Sequence, residues 1–351
     1  MNISDSKLVS YRNVIAKKTA IKPLHTLLPL PLPFAILVDP SNKCNFKCVF
    51  CPTGDKELLK SVKRPAGMME FSLFQKIIVD ISTMVQETGV KVSRLHLYKD
   101  GEPLVNKNFA KMVRLAVDKS VAESVETTTN AALLDKKMVS DILDAGLDVI
   151  RISVDGIDDA SYKETTKTFS NYEAIRENVS MLMEERNRRN GHLKIFVKIV
   201  DVGFSSEGKN KFLKDFSPIS DSINIDSLMG WSRNELKDWT LGKNSSKGMD
   251  GQTDIVERKV CPEPFAKLAV NFDGQASVCC VDWSYGTIVG DFRNENLKEI
   301  WHGEKLRQFR LTHLKGEREN IDACKSCQYL HGLPEYTMLD AHADGLLSRY
   351  S

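Results

Sequence analysis

The sequence predicts an α/β fold, a partial (β/α)6 barrel followed by a small, metal-bearing C-terminal domain. Two observations support this prediction. From Phe34 onward, short apolar or β-branched runs alternate with amphipathic helical stretches, which is the pattern of a parallel sheet covered by helices. The eight cysteines fall into two groups, one directly after the first apolar run and one after residue 260.

The elements of the barrel follow from the spacing of apolar residues. Strands are predicted within residues 34–38, 92–98, 124–129, 148–154, 193–200 and 222–228. Helices are predicted between them, within residues 73–85, 109–116, 138–143 and 170–187. Gly146 is placed to end the third of these helices. Because six units fall short of the eight that close a barrel, we expect an open sheet.

We expect five segments. Residues 1–33 form a lead-in with alternating prolines, and residues 34–230 form the barrel. Residues 231–260, rich in Ser, Asn, Lys, Asp and Gly, are expected as a linker or ordered excursion. Residues 261–330 contain five cysteines and are predicted to form a small domain that bound metal stabilises. Residues 331–351 are left as a tail.

Composition narrows the class of protein. The formal net charge is +2, which gives no reason to expect nucleic acid or membrane as a partner. The apolar stretch from Leu27 to Phe34 is interrupted by three prolines and is too short for a signal peptide or a membrane span. A cytoplasmic protein is therefore expected, in a compartment where thiolates remain available to metal.

The first cysteine group has C-x3-C-x2-C spacing: Cys44, Cys48 and Cys51. A four-iron cubane normally takes four cysteine ligands, and the next cysteine is Cys261. A cubane held here would keep one iron open to another ligand. Structural zinc is a weaker alternative, because it prefers four ligands and no histidine lies nearby. A disulfide would leave one thiol over.

This loop, placed after a strand near the start of the chain, resembles that of the radical S-adenosylmethionine (SAM) superfamily. The resemblance implies a [4Fe–4S] cluster on Cys44, Cys48 and Cys51, whose open iron chelates the amino and carboxylate groups of SAM. Asp100-Gly101-Glu102-Pro103 is similar to the family's Gly-Gly-Glu-Pro motif, which lies against the ammonium group of SAM. Here Asp100 stands in place of the first glycine.

Further residues at strand ends resemble the family's SAM-binding segments. Asn130 stands in a Thr-Asn-Gly-like segment, with Ala131 where glycine is usual. Ser153 and Asp155 fall in the segment that meets the SAM ribose and carboxylate. Turn, cap or core roles are the alternatives for these residues. With Phe50 beside adenine and Lys198 against a carboxylate, the expected SAM-binding set is Phe50, Asp100, Gly101, Glu102, Asn130, Ser153, Asp155 and Lys198.

The second cysteine group is predicted as a four-thiolate site of Cys261, Cys279, Cys324 and Cys327, with Asp273-Gly274 as the turn of a hairpin. The set resembles the SPASM/twitch group of the superfamily, and its spacing is most similar to that of the butirosin-type amino-cyclitol (2-deoxy-scyllo-inosamine) dehydrogenases. The resemblance implies one auxiliary [4Fe–4S] cluster. Zinc also suits four thiolates. Cys280 is left over, as an alternative ligand or a free thiol.

The family resemblance implies reductive cleavage of SAM to a 5′-deoxyadenosyl radical. We expect hydrogen abstraction from a small polar substrate, such as a sugar, cyclitol or nucleotide sugar, giving oxidation or epimerisation of a carbinol. Cys280 is a candidate hydrogen donor, and a flavodoxin or ferredoxin is the expected reductant. The alternatives are a maturase of ribosomal peptides and a non-catalytic iron–sulfur electron-transfer protein.

Overall fold

The computed structural model describes residues 22–168 and 171–351. Its strands are β1 Ala35–Val38, β2 Val92–His96, β3 Ala122–Thr129, β4 Val149–Val154, β5 Lys194–Asp201, β6 Ser222–Ser227, β7 Lys267–Val270, β8 Gln275–Ser277 and β9 Ile288–Asp291. Within the described residues they form one sheet of nine strands in the order β6-β5-β4-β3-β2-β1-β7-β8-β9.

Strands β1 to β6 confirm the six predicted strands and pair in parallel throughout. The sheet does not stop at β1. Strand β7 of the predicted C-terminal domain pairs with β1 in parallel, and β8 and β9 add antiparallel strands beyond it. The predicted hairpin is present between β7 and β8, and Gly274 in its turn has a φ of 91°. The two parts of the chain therefore share one sheet.

Helices cover the sheet as predicted. They are α1 Lys56–Ser61, α2 Phe71–Thr88, α3 Phe109–Asp118, α4 Lys136–Ala145, α5 Asp159–Thr166, α6 Tyr172–Arg188, α7 Ser206–Phe216, α8 Glu263–Ala266, α9 Leu297–Trp301, α10 Glu304–Leu314 and α11 Ala343–Tyr350. Helix α4 shows why they begin and end where they do. The Asp135 side chain accepts a hydrogen bond from the Met138 amide, and Gly146 ends the helix with a left-handed φ of 82°.

The hydrophobic core lies between the sheet and these helices. All four residues of β1 are buried, and α2 buries the stripe Phe74, Ile77, Ile78, Ile81 and Met84 against the sheet. The segment before β1 joins this core through Leu24, Leu28, Leu30 and Leu32. In the part of the chain that the structure describes, no helix has the length and apolar character needed to cross a membrane.

Polar side chains from β2, β3 and β4 lie together at the sheet. The sequence places Arg94, His96 and Tyr98 on one face, and Arg94, His96 and Arg151 all line the same cavity. His96 Nδ1 lies 3.3 Å from a carboxylate oxygen of Glu126, and Arg151 donates a hydrogen bond to the Tyr98 hydroxyl. Burial raises the pKa of Glu126 to about 7, although the positive charge of Arg151 opposes this.

The raised pKa of Glu126 makes the free energy of unfolding depend on pH. A glutamate in the unfolded chain has a pKa near 4.5, so between pH 4.5 and 7 the native chain keeps a proton that the unfolded chain has lost. The free energy of unfolding should therefore fall as pH rises through this window, by up to ~3 kcal/mol from Glu126. We expect Glu126→Gln to flatten this fall in urea unfolding of the apoprotein. The control is Glu57→Gln, at an exposed position. An unchanged pH dependence in Glu126→Gln would contradict the assignment.

Candidate functional site

A large cavity of about 420 Å³ lies at the carboxyl ends of the parallel strands. The cysteine loop follows β1, the Asp100–Pro103 segment follows β2, and Asn130 follows β3. The cavity brings together every residue that the sequence placed at the first cluster and SAM: Cys44, Cys48, Phe50, Cys51, Asp100, Gly101, Glu102, Asn130, Ser153, Asp155 and Lys198.

The loop with the first three cysteines is held at its back by α5. The amides of Lys47 and Val49 donate to the carbonyls of Thr166 and Thr165, each over 2.9 Å. The loop therefore does not rely on a disulfide, and none of the eight cysteines, all of which are described, forms one. The three thiols consequently face one cavity in reduced form.

The chemistry of these thiols fits a bound metal cluster. The Phe46 amide donates to Cys44 Sγ over 3.4 Å, a contact that stabilises a thiolate. Burial raises the pKa of Cys44 to about 12 and also raises the pKa of Cys48 and Cys51. A buried thiol of this kind stays protonated at neutral pH unless a cation replaces the proton.

The segment after β2 is packed tightly against the cysteine loop. A Cβ atom at Gly101 would overlap the carbonyl oxygens of Ser41 and Lys43, so only glycine allows this approach. The Glu102 carboxylate accepts hydrogen bonds from Thr129 Oγ1 and the Asn130 amide, over 2.7 and 2.9 Å. Burial nevertheless raises the pKa of Glu102 to about 7. Glu102 thereby ties the ends of β2 and β3 together.

Two positions carry another residue where the family pattern has glycine, and they differ in backbone conformation. Asp100 does not adopt a positive φ, so the aspartate is accommodated without left-handed strain. Its carboxylate lies 2.6 Å from Lys99 Nζ and 3.4 Å from Arg64. Ala131 does adopt the left-handed region, with a φ of 62°. The backbone conformation therefore favours glycine at position 131, whereas the backbone at position 100 accepts any residue.

The remaining predicted SAM residues form two groups. Asn130 donates to the Asn45 side chain over 2.8 Å, which links β3 to the cysteine loop. Ser153 donates to Asp155 over 3.4 Å, and burial raises the pKa of Asp155 to about 6. The positive charge of Lys198 opposes that rise. Lys198 itself lies 2.7 Å from Asp226 on β6, a partner that the sequence did not indicate.

The second cysteine group lies in a separate, small cavity with a largely apolar lining. Cys261, Cys279, Cys324 and Cys327 all line it. The Val281 amide donates to Cys279 Sγ over 3.5 Å. Burial raises the pKa of Cys327 to about 11 and also raises the pKa of Cys261 and Cys324. Four thiols around one cavity, one of them with an amide donor, are a donor set that fits an iron–sulfur cluster.

Cys280 differs from its neighbour Cys279, because it lines the large cavity and not the small one. Its Sγ lies 3.6 Å from a Glu263 carboxylate oxygen and 3.7 Å from the Tyr329 hydroxyl. The ligand atoms of Glu263, Cys279 and Cys280 lie within 4.8 Å of one another, so Cys280 is also near the second cysteine group. Tyr329 lines both cavities.

Sequence reasoning missed part of the cavity wall. Asn224 and Asp226 line it from β6, and their alternation along a strand is a signal that could have predicted this. Trp239 and Met249 line it from the segment expected as a linker or ordered excursion. That segment has no helix or strand in the structure, so no periodicity marked these two residues.

Comparison with protein families identifies both parts of the chain. The model of the Radical SAM superfamily matches residues 38–208. The model of an iron–sulfur cluster-binding domain, SPASM, matches residues 261–328. Together the two matches span more than half of the chain.

Among curated proteins, the chain is similar to GTP 3′,8-cyclases. It is 28% identical over 149 residues to a probable GTP 3′,8-cyclase of Halobacterium salinarum, covering 42% of this chain and 39% of that protein. It is 33% identical over 127 residues to the GTP 3′,8-cyclase of Limosilactobacillus fermentum, covering 36% of this chain and 35% of that protein. The matched region is well under half the length of each of these relatives.

Solved structures share the fold at low sequence identity. BtrN in complex with AdoMet and 2-DOIA has a TM-score of 0.54 at 17% identity, covering 84% of this chain and 93% of that chain. Streptococcus suis SuiB bound to precursor peptide SuiA has a TM-score of 0.59 at 14% identity, covering 85% and 70%. Native anSMEcpe with bound AdoMet has a TM-score of 0.57 at 15% identity, covering 90% and 96%.

These matches establish the class of cofactor. A radical SAM domain implies a [4Fe–4S] cluster and SAM, and a SPASM domain implies auxiliary iron–sulfur clusters. The donor sets of the two cavities agree with both. The chain therefore contains a radical SAM domain and, C-terminal to it, a SPASM domain.

Proposed function

We propose that the protein is a radical SAM enzyme that acts on a carbinol centre of a small polar substrate, such as a sugar, cyclitol or nucleotide sugar, and that it epimerises this centre. The observation that carries the proposal is the position of Cys280. Its thiol lines the same cavity as the residues expected at SAM, whereas the four other cysteines of its domain line a separate cavity.

We assign the cofactors as follows. Cys44, Cys48 and Cys51 would hold the SAM-binding cluster, and Cys261, Cys279, Cys324 and Cys327 would hold the auxiliary one. When bound, the first cluster and SAM supply a 5′-deoxyadenosyl radical that can abstract a hydrogen atom from a C–H bond. The chain contributes the binding surface for SAM, the orientation of the substrate and the exclusion of water.

The wall of the cavity near β5 and β6 supports a polar substrate. Lys198 and Asn224 each lie 2.7 Å from Asp226, so an ammonium, an amide and a carboxylate are held together at the cavity surface. Hydroxyl groups of a sugar or cyclitol can donate to and accept from such a set. Trp231 and Trp239 add aromatic surface to the wall of the same cavity, which suits the C–H face of a sugar ring.

Cys280 completes the proposed reaction. The radical that SAM supplies when bound would break a substrate C–H bond by taking its hydrogen atom. A new C–H bond would form when the Cys280 S–H gives its hydrogen atom to the opposite face of that carbon. Configuration inverts, and a thiyl radical remains on Cys280. One electron from a low-potential carrier of the flavodoxin or ferredoxin class, together with one proton, restores the thiol.

Oxidation is the second candidate. The auxiliary cysteine set favours it, because a cluster with four protein ligands is suited to accept an electron from a substrate radical. An alcohol oxidised in this way loses two hydrogen atoms and gains none from the protein. A non-catalytic electron carrier has no need for a cavity of about 420 Å³ lined by polar side chains.

Replacing Cys280 by Ser tests the proposed function. In D2O the Cys280 thiol exchanges its hydrogen, so a product epimerised by the wild-type enzyme should carry one solvent deuterium. We expect Cys280→Ser to lower product formation by about a hundredfold or more, because a hydroxyl is a poor hydrogen-atom donor. The measurement is mass spectrometry of sugars, cyclitols, nucleotide sugars and peptides incubated with SAM and reductant. A ketone product without solvent deuterium would favour oxidation, and a modified peptide would contradict the substrate class.

Iron content tests the ligand assignment. Cys324→Ala should lower the iron bound after anaerobic reconstitution from about eight to about four atoms per chain. Cys280→Ser is the matched control in the same domain, and it should keep the full content. Loss of iron in Cys280→Ser would show that Cys280 is a ligand and would contradict its role as a donor.

Gly101→Ala tests the placement of the SAM site. The added Cβ would displace the Ser41–Lys43 backbone, which leads into the cysteine loop. We expect SAM affinity to fall by about tenfold or more, measured by calorimetry on the reconstituted protein. Gly345→Ala in α11 is the control, because a Cβ atom added there would have no neighbour within 4 Å. Equal affinity in both variants would place SAM elsewhere.

A further inference from the structure

A buried cluster of charged side chains lies between the Asp100–Pro103 segment and the SPASM domain. Its members are two carboxylates, Asp39 and Asp100, and two cations, Arg64 and Lys99, with the ring of Tyr285 beside them. The side chains of Lys99 and Asp100 are 0% and 1% exposed. Asp100 forms ion pairs with both cations, whereas burial raises the pKa of Asp39 to about 7, so Asp39 carries only part of a negative charge at neutral pH.

Lys99 is the member that reaches across to the second domain. Its Nζ lies 2.6 Å from Asp100 Oδ2 and donates to the carbonyl oxygen of Asp282 over 2.9 Å. The same Nζ lies 5.6 Å from the centroid of the Tyr285 ring, and Arg64 lies 5.8 Å from it. These contacts join the end of β2 to the loop between β8 and β9.

The Asp282 side chain fixes the other side of that loop. Its carboxylate accepts hydrogen bonds from the amides of Gly286 and Thr287, over 3.1 and 2.8 Å, and from the Thr287 hydroxyl over 2.7 Å. Asp282 stands two residues after Cys280. Lys99 thus holds the Asp282 carbonyl, while the Asp282 carboxylate closes the turn that follows Cys280.

We propose that Lys99 is a positioning residue that sets the place of Cys280 relative to the SAM cavity through the Asp282 carbonyl. The inference rests on the proposed function, in which Cys280 acts on the substrate. Asp100 makes the arrangement possible, because a glycine at this position would leave the Lys99 ammonium buried without its nearest carboxylate. Hydrogen bonds with a charged donor are shorter and roughly twice as strong as those between neutral groups.

Hydrogen exchange on the full-length reconstituted protein tests this role without any substrate. Lys99→Met removes the charge and the donor, and exchange at the Gly286 and Thr287 amides should rise about tenfold. Exchange in α2 should stay unchanged. Lys99→Arg keeps a donor and should restore part of the protection. Arg186→Met breaks a partly buried ion pair with Asp221, and controls for general destabilisation because neither residue lines either of the two cavities.

A second pair of variants approaches the cluster from the SPASM side. Tyr285→Leu removes the ring beside the two cations and should give the same local rise in exchange, whereas Tyr285→Phe keeps the ring and should not. Unchanged exchange at Gly286 and Thr287 in Lys99→Met and Tyr285→Leu would overturn the positioning role, as would an equal rise in Arg186→Met. If the wild-type protein adds no solvent deuterium to any product, the proposed function is wrong, and this holds for any result of the exchange measurements at Gly286 and Thr287.

Discussion

The parallel pairing of β1 with two partners is the constraint on which the site depends. On one side β1 pairs with β2, whose end leads to the SAM motif, and on the other it pairs with β7 of the SPASM domain. The cysteine loop leaves the end of β1 and therefore lies between the two. Backbone hydrogen bonds across three neighbouring strands fix these parts relative to one another far more rigidly than a linker would.

Burial controls the charge of the site. It raises the pKa of Glu102 and Asp155 and of the three thiols in the first loop, so the cavity by itself disfavours negative charge. A bound cation reverses that preference, because an opposite charge nearby favours the ionised carboxylate and the thiolate. The iron ions of a cluster and the sulfonium and ammonium groups of SAM are such cations. Binding of these groups should therefore lower the pKa of the acids and thiols that face them.

The sequence predicted the barrel well, because its signals are local. Period-two and helical spacings mark each strand and helix, and the ends of parallel strands must meet at one edge of the sheet, which is why the predicted SAM residues share a cavity. The pairing of β1 with β7 could not be predicted, since it joins segments far apart in the chain and leaves no local pattern. The contribution of Trp239 escaped for the same reason, whereas the alternation of Asn224 and Asp226 along β6 was a local signal of their place at the cavity.

The shared sheet also bears on how the chain can be divided. The Radical SAM match ends at residue 208, which suggests a separable unit, but removal of β7 would uncover one side of β1. That side is a row of unpaired backbone groups along four buried apolar residues, Ala35–Val38. Exposed edges of this kind template intermolecular strand pairing. A truncated barrel would therefore expose an edge strand that is prone to aggregation. In the full chain, the SPASM domain covers this edge by pairing β7 with β1.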